Sequence, residues 1–260
     1  MFSLRMPLSF DSWRESARVL LARGVPPEQI VWIDSNQDAL FEDLSDFPGQ
    51  TRFGLRISRF FIQRARLVAC HRSDDRWALL YRLAFRLTHD DPHLMQLRTD
   101  PDVRRFELMG ASVSRDRHKM TAFVRFRRSS IDGVDWYVAW YRPDHFVVRL
   151  AADHFRDRYS IMNWSILTPD ESVHWDGQQL RFTEGIPTPL KPEKDEVESL
   201  WRTYYRSIFN PARIKTSAMR REMPVRFWDH LPEADLIHGL LKEAPSRTRQ
   251  MIRHSERTDL

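Results

Sequence analysis

The groups in this sequence best suited to chemistry are histidines beside carboxylates and one histidine–lysine pair set among arginines. His118 and Lys119 follow Arg115 and Arg117. There an imidazole could exchange a proton, and an amine could bind phosphate or, in its neutral form, attack the aldehyde of an abasic sugar. Asp144-His145 and Asp153-His154 are carboxylate–imidazole pairs, and His174 with Asp176 is a third, the raw material of general bases and metal sites. No HExxH pair occurs, and His145 and His154, nine positions apart, would point about 180° from each other on a regular helix. No metal or cofactor is therefore expected. GxGxxG, GxxxxGK[ST] and GxSxG are absent, and eight glycines leave little material for phosphate-cradling loops. Because two adjacent residues define no site by themselves, a phosphate-binding or structural role for His118-Lys119 outweighs a catalytic one.

The surrounding stretch, His118 to Arg128, reads as one strand. Alternation sets Val124 and Phe126 on a covered face and Phe123, Arg125 and Arg127 on the other. An aromatic ring between two guanidinium groups suits base stacking plus phosphate contact, although a core face backed by solvated arginines fits the same pattern. Of 41 basic residues 36 are arginines, whose planar fork binds phosphate bidentately. Net charge runs −4 over residues 1–50, +9 over 51–150, −5 over 151–200 and +5 over 201–260. A basic middle segment is what a face for nucleic acid needs.

A chain of 260 residues can bury a substantial core without disulfides. Cys70 is the only cysteine, so neither an internal disulfide nor a cysteine-based zinc site can form, which suits a reducing cytoplasm. No segment is apolar enough to span a bilayer, and a soluble, cytoplasmic protein is expected.

The elements follow from periodicity. Trp13, Ala17, Leu20 and Leu21 predict a helix over 10–23, flanked by short strands near 4–8 and 29–34 that pair across it. Helices are predicted near 55–70 and 75–87. On the first, Arg52, Arg56, Arg59, Gln63 and Arg66 form a basic stripe opposite Phe60, Phe61 and Leu67. Asp100-Pro101 starts another helix towards Arg117, with Thr99 or Asp100 as its cap. Strands follow at 118–128 and 136–141 across Asp132-Gly133. A helix runs from Pro143-Asp144-His145 to near Tyr159, and short strands follow at 164–168, 172–175 and 179–182. Residues 185–195 read as a linker, and Val197 to Ile208 as a patterned helix. The expected fold class is α+β, with a mainly antiparallel central sheet, an N-terminal α/β piece and flanking helices. A core domain over 1–185 would be followed by a helical extension over 186–260.

The segments FDSWRESARVLLARGVPPEQIVW, VACHRSDDRWALLYRLAFRL, TDPDVRRFELMGASVSRDRHKMTAFVRFRR, WSILTPDESVHWDG and NPARIKTSAMRREMPVRFWDHLP together resemble a bacterial family assigned to DNA metabolism or repair. Its domain occurs alone or ahead of a uracil-DNA-glycosylase-like domain. The resemblance spans roughly residues 4–235. It implies DNA as a ligand and a radical-S-adenosylmethionine repair protein as a partner, and it brings no catalytic residue with it. A glycosylase domain is not expected within 260 residues, and one cysteine cannot supply the three-cysteine motif of the radical enzymes. The expected role is a DNA-binding accessory protein, contacting DNA through Arg56, Arg59, Arg115, Arg117, His118, Lys119, Phe123, Arg125 and Arg127. One alternative is a lesion-processing enzyme using His118, Lys119, Asp144, His145 or His154. The other is a module that meets an acidic protein. Oligomeric state is not legible.

Overall fold

Two short parallel strands separated by a helix open the chain in the computed structural model, which describes residues 2–7, 9–33, 54–131, 134–187 and four isolated helical positions at 236, 239, 242 and 243. The described chain divides into two units. Among the described residues, the first comprises those up to His118 together with Pro143–Val147, and the second comprises Lys119–Arg142 and those from Val148 onward.

In the first unit β1 (Phe2–Arg5) pairs in parallel with β2 (Ile30–Ile33) across α1 (Phe10–Ala22). Ser9 starts α1, its hydroxyl accepting from the Ser12 amide while the Ser12 hydroxyl accepts from the Ser9 amide. The strand near 4–8 thus lies earlier, at 2–5. Next come α2 (Arg59–Val68), α3 (Arg76–His89) and α4 (Pro101–Phe123). Their inward stripes, with Trp13, Leu20, Phe61, Trp77, Leu80, Leu83 and Phe106 all nearly inaccessible, make one apolar core. Phe61 and Phe106 stack at 5.4 Å and Trp13 and Trp77 at 6.2 Å. Asp100 caps α4, its carboxylate accepting from the amides of Asp102 and Val103, and Arg86 holds that carboxylate below its ordinary range.

Two expectations change here. The basic-stripe helix begins only at Arg59, behind the cap Ser58, so Arg56 precedes it. Phe60 is exposed, Arg66 pairs with Asp11 at 3.1 Å, and the stripe is broken. The larger change concerns His118 to Arg128, which is not one strand. Helix α4 continues to Phe123, and the next strand starts at Arg127. Phe106, Val113, Met120 and Val124 are all buried, a helical spacing, and burial of Met120 carries the helix past the point where β propensity suggests a stop. Val124 is buried as expected, while Phe126 is half-buried against Phe155, Tyr159 and Trp164, and they reach these places from a helix end and a loop.

In the second unit β3 (Arg127–Ile131), β4 (Val134–Trp140), β5 (Asn163–Leu167), β6 (Glu171–Trp175) and β7 (Leu180–Glu184) form one sheet in sequence order. All neighbours are antiparallel except β4 and β5, which run parallel because α5 (Val148–Arg158) carries the chain back between them. The fold class is α+β. Helix α5 buries Val148, Ala151, Ala152 and Phe155, and Phe126 packs edge-on against Phe155 and Tyr159. Gly177 takes φ +84° in the β6–β7 turn, where left-handed backbone favours glycine. At Gly185 a Cβ would lie 2.1 Å from the Pro169 carbonyl, so only glycine permits the Ile186 amide to reach Thr168 at 2.7 Å. The Asp132-Gly133 turn, the helix over 197–208 and the motif around Asn210 fall outside the described residues.

Candidate functional site

Three segments of the first unit meet at a pair of imidazole rings. The end of α2 leads through Cys70 and His71 to α3, the middle of α4 presents Ser112, Arg115 and Asp116, and residues 143–147 return to lie against both. That return segment is fixed by its backbone. The His145 amide donates to the buried Asp116 carboxylate at 2.8 Å, and the Phe146 amide donates to the Cys70 carbonyl at 2.9 Å. The rings of His71 and His145 then lie 4.3 Å apart, tilted by 31°.

Backbone donors decide the tautomers. The Arg72 amide donates to Nδ1 of His145 at 3.3 Å, and the Ser73 amide donates to Nδ1 of His71 at 3.1 Å. Each Nδ1 must therefore be an unprotonated acceptor, and each proton sits on Nε2. His145 consequently donates from Nε2 to the Ser112 hydroxyl oxygen at 2.9 Å. A serine–histidine hydrolase needs the reverse polarity, with the ring accepting the hydroxyl proton. Burial, reinforced by His71, Arg72 and Arg115 and opposed by Asp144, pushes His145 down to about 4. Burial likewise lowers His71, with Arg76 and Arg105 adding to the effect and Asp75 opposing it. Near neutral pH both rings are uncharged donors.

Arginines surround them. Arg72 donates from Nε to the Asp144 carbonyl at 2.9 Å and lies 4.6 Å above the Phe146 ring. Arg76 lies 5.5 Å from the same ring and donates to the Ser73 carbonyl. Asp75 is engaged by the Ser73 hydroxyl and by Arg105. Cys70 is no nucleophile here, since burial pushes its thiol up to about 11.

A pH prediction follows from the two imidazoles. Their folded values lie below the ordinary histidine value of about 6.5, so the unfolded chain binds more protons in the interval beneath it. Stability is complete above about pH 6.5 and is lost as pH falls towards about 4, by about 1–2 kcal/mol for His145 once solvent screening is allowed for. Urea unfolding at pH 7 and pH 5 should show the drop, and His145→Gln should reduce it.

The expected site residues distribute unevenly. Asp144 and His145 join the cluster, Asp144 through its backbone carbonyl and His145 through its ring. Arg115 lies beside it, about 60° from Ser112 around α4, whereas Arg117 and His118 stand about 200° from Arg115 and Asp116 respectively. Lys119 and Phe123 occupy the last turns of α4, in the second unit. Arg125 turns back on the helix end, donating to the Ala122 carbonyl at 2.6 Å and the Val124 carbonyl at 3.2 Å, and Arg127 sits in β3 opposite Val138. His154 is an exposed residue of α5, and His145 precedes that helix, so the two never share one. His174 is structural, spanning Ser165 at 2.8 Å and Thr183 at 2.9 Å across three strands, while Asp176 pairs with Arg181. No group of three potential metal ligands occurs among the described residues.

His71, Arg72, Ser112 and Asp116 carried no spacing signal. More than 70 residues separate Arg72 from His145 and 33 separate Ser112 from it, so only tertiary packing unites them.

A family model, DUF4130, described as a domain of unknown function, matches residues 74–233. The chain belongs to this family. The DUF4130 match includes Ser112, Arg115, Asp116 and His145, while His71 and Arg72 lie just ahead of it. Comparison with characterised proteins and with solved structures finds no match. No helix among the described residues is long and apolar enough to cross a membrane.

Proposed function

We propose that this DUF4130 protein binds DNA as an accessory protein in bacterial DNA repair or modification, working in the cytoplasm beside a radical-S-adenosylmethionine repair enzyme. The observation that carries the reading is the state of the arginines on α4. Arg64, Arg66, Arg82, Arg86, Arg128 and Arg149 are each neutralised by a carboxylate. Arg104 and Arg115 are exposed and have no carboxylate partner among the described residues. They lie about 20° apart around the helix and about 16 Å apart along it, with exposed Leu108 and half-buried Ala111 between them. Uncompensated guanidinium groups on one convex helix face are suited to phosphates, and an apolar centre to sugar or base. The motif resemblance supplies the DNA-repair setting and the partner.

The lesion-processing alternative has less support, because His145 already donates from Nε2 and has its Nδ1 lone pair occupied. Replacing Arg104 and Arg115 together by alanine should weaken oligonucleotide binding at least about tenfold at 100 mM salt. It should also reduce the slope of log K against log salt by about 2, near one per lost phosphate contact. Fluorescence anisotropy across a salt series measures both, and an unchanged affinity and slope would remove this face. Pull-down of the partner enzyme before and after nuclease treatment separates a DNA-bridged association from direct binding to an acidic protein.

A further inference from the structure

Where α1 and α2 meet over α3, the first unit leaves a cavity of about 240 Å³. Ala17 of α1 and Ala84 of α3 are both buried, and neither side chain extends beyond Cβ, so the helices come together there without filling the space. Trp13, Leu21, Phe61 and Ile57 supply the rest of an apolar lining. Two guanidinium groups interrupt it. Arg14 and Arg18, one turn apart on α1, also border the cavity, about 20° and 60° beyond Leu21 around an ideal helix. Arg18 is exposed and Arg14 half-buried, which puts them at the mouth, and neither has a carboxylate partner among the described residues. The carboxylates of α1 do not fill that role: Asp11 pairs with Arg66 at 3.1 Å, and Glu15, a further 60° or so beyond Arg18, does not line the cavity.

We infer that this cavity binds a small amphiphilic carboxylate, its apolar tail inside and its anionic head between Arg14 and Arg18. Hydrocarbon and aromatic walls favour apolar surface in proportion to the area removed from water, and they offer no partners to a sugar or to the polar edge of a nucleobase. Guanidinium groups one turn apart can share one carboxylate through charge-assisted hydrogen bonds, and they repel a cationic head. The size sets the tail. At about 240 Å³ the space falls short of the roughly 300–1,000 Å³ of ordinary ligand pockets, so it suits a short chain or a fused ring pair and not a whole membrane lipid. No residue is shared with the imidazole cluster or with the Arg104–Arg115 face, so the inference stands apart from the DNA reading.

The full-length protein is titrated calorimetrically with octanoate, hexanoate and octan-1-ol. Octanoate should bind saturably and about tenfold tighter than octan-1-ol, as charge-assisted hydrogen bonds predict, and each methylene removed towards hexanoate should weaken binding about fourfold. Arg14→Gln combined with Arg18→Gln should bring octanoate and octan-1-ol to within about twofold of each other without changing affinity for the alcohol. Ala17→Met, which fills the cavity, should weaken both ligands at least about tenfold. Because a larger side chain at a buried alanine can impair folding, the arginine pair, which lies at the surface, carries the test by itself. Tighter binding of 2-naphthoate than of octanoate would assign the site to planar aromatic acids, and the reverse order to acyl chains. Absence of saturable octanoate binding, equal affinity for acid and alcohol in the unaltered protein, or a preference for the acid that survives loss of both arginines overturns the inference.

Discussion

Asp116→Ala should lower the free energy of unfolding by about 3 kcal/mol, because the buried carboxylate is what the 143–147 return rests on. Its removal leaves the His145 amide without an acceptor inside the protein, and unpaired buried donors cost about 1–3 kcal/mol before any charge effect. The damage should extend beyond one bond. When the His145 backbone loosens, the Arg72 amide and Ser112 lose their shared partner, and the two imidazoles no longer face each other. Asp116→Asn, which keeps an acceptor oxygen in the same place, should cost about 1 kcal/mol. Urea unfolding gives the magnitudes, and faster hydrogen exchange at the His145 and Phe146 amides in the alanine variant would identify the return segment as what loosens. Equal stability of the alanine variant and the wild type would mean that this carboxylate anchors nothing.

The second large effect belongs to the other unit. Trp164 is fully buried on β5, 6.0 Å from both Phe126 and Phe155, and its truncation to alanine should cost about 3–5 kcal/mol from lost contacts and the cavity left behind. Its indole N–H has no hydrogen-bond partner. Trp164→Phe, which removes that uncompensated donor while keeping an aromatic ring, should therefore cost no more than about 1 kcal/mol. A phenylalanine variant as unstable as the alanine one would show that indole shape, and not ring burial, holds this cluster together.

What the sequence discloses and what it hides divide along the range of the interactions involved. Helices α1 and α3 are legible because Trp13 to Leu21 and Trp77 to Phe85 keep a 3.6-residue period with clear stops. The β6–β7 hairpin is legible because Asp176-Gly177 demands a turn. The end of α4 is not, since His118 to Arg128 alternates convincingly while the burial of Met120, a tertiary fact, keeps the chain helical to Phe123. The parallel β4–β5 pair becomes legible only when α5 is seen as a crossover. For the site, periodicity could nominate His145 and Arg115 as suitable residue types. It could not nominate His71 and Ser112, whose roles arise from backbone donors fixing two tautomers. Nor could it show that the Arg125 guanidinium turns back on helix carbonyls.

The chemical character of the cluster rests on those two tautomers, and 15N spectra of histidine-labelled protein read them directly, with His71 and His145 assigned through their glutamine variants. At pH 7 both rings should be neutral with the proton on Nε2, and His145 should remain so down to about pH 5. A charged imidazolium at pH 7, or a His145 ring protonated on Nδ1 with Nε2 free to accept from Ser112, would contradict the account and return the pair to acid–base catalysis.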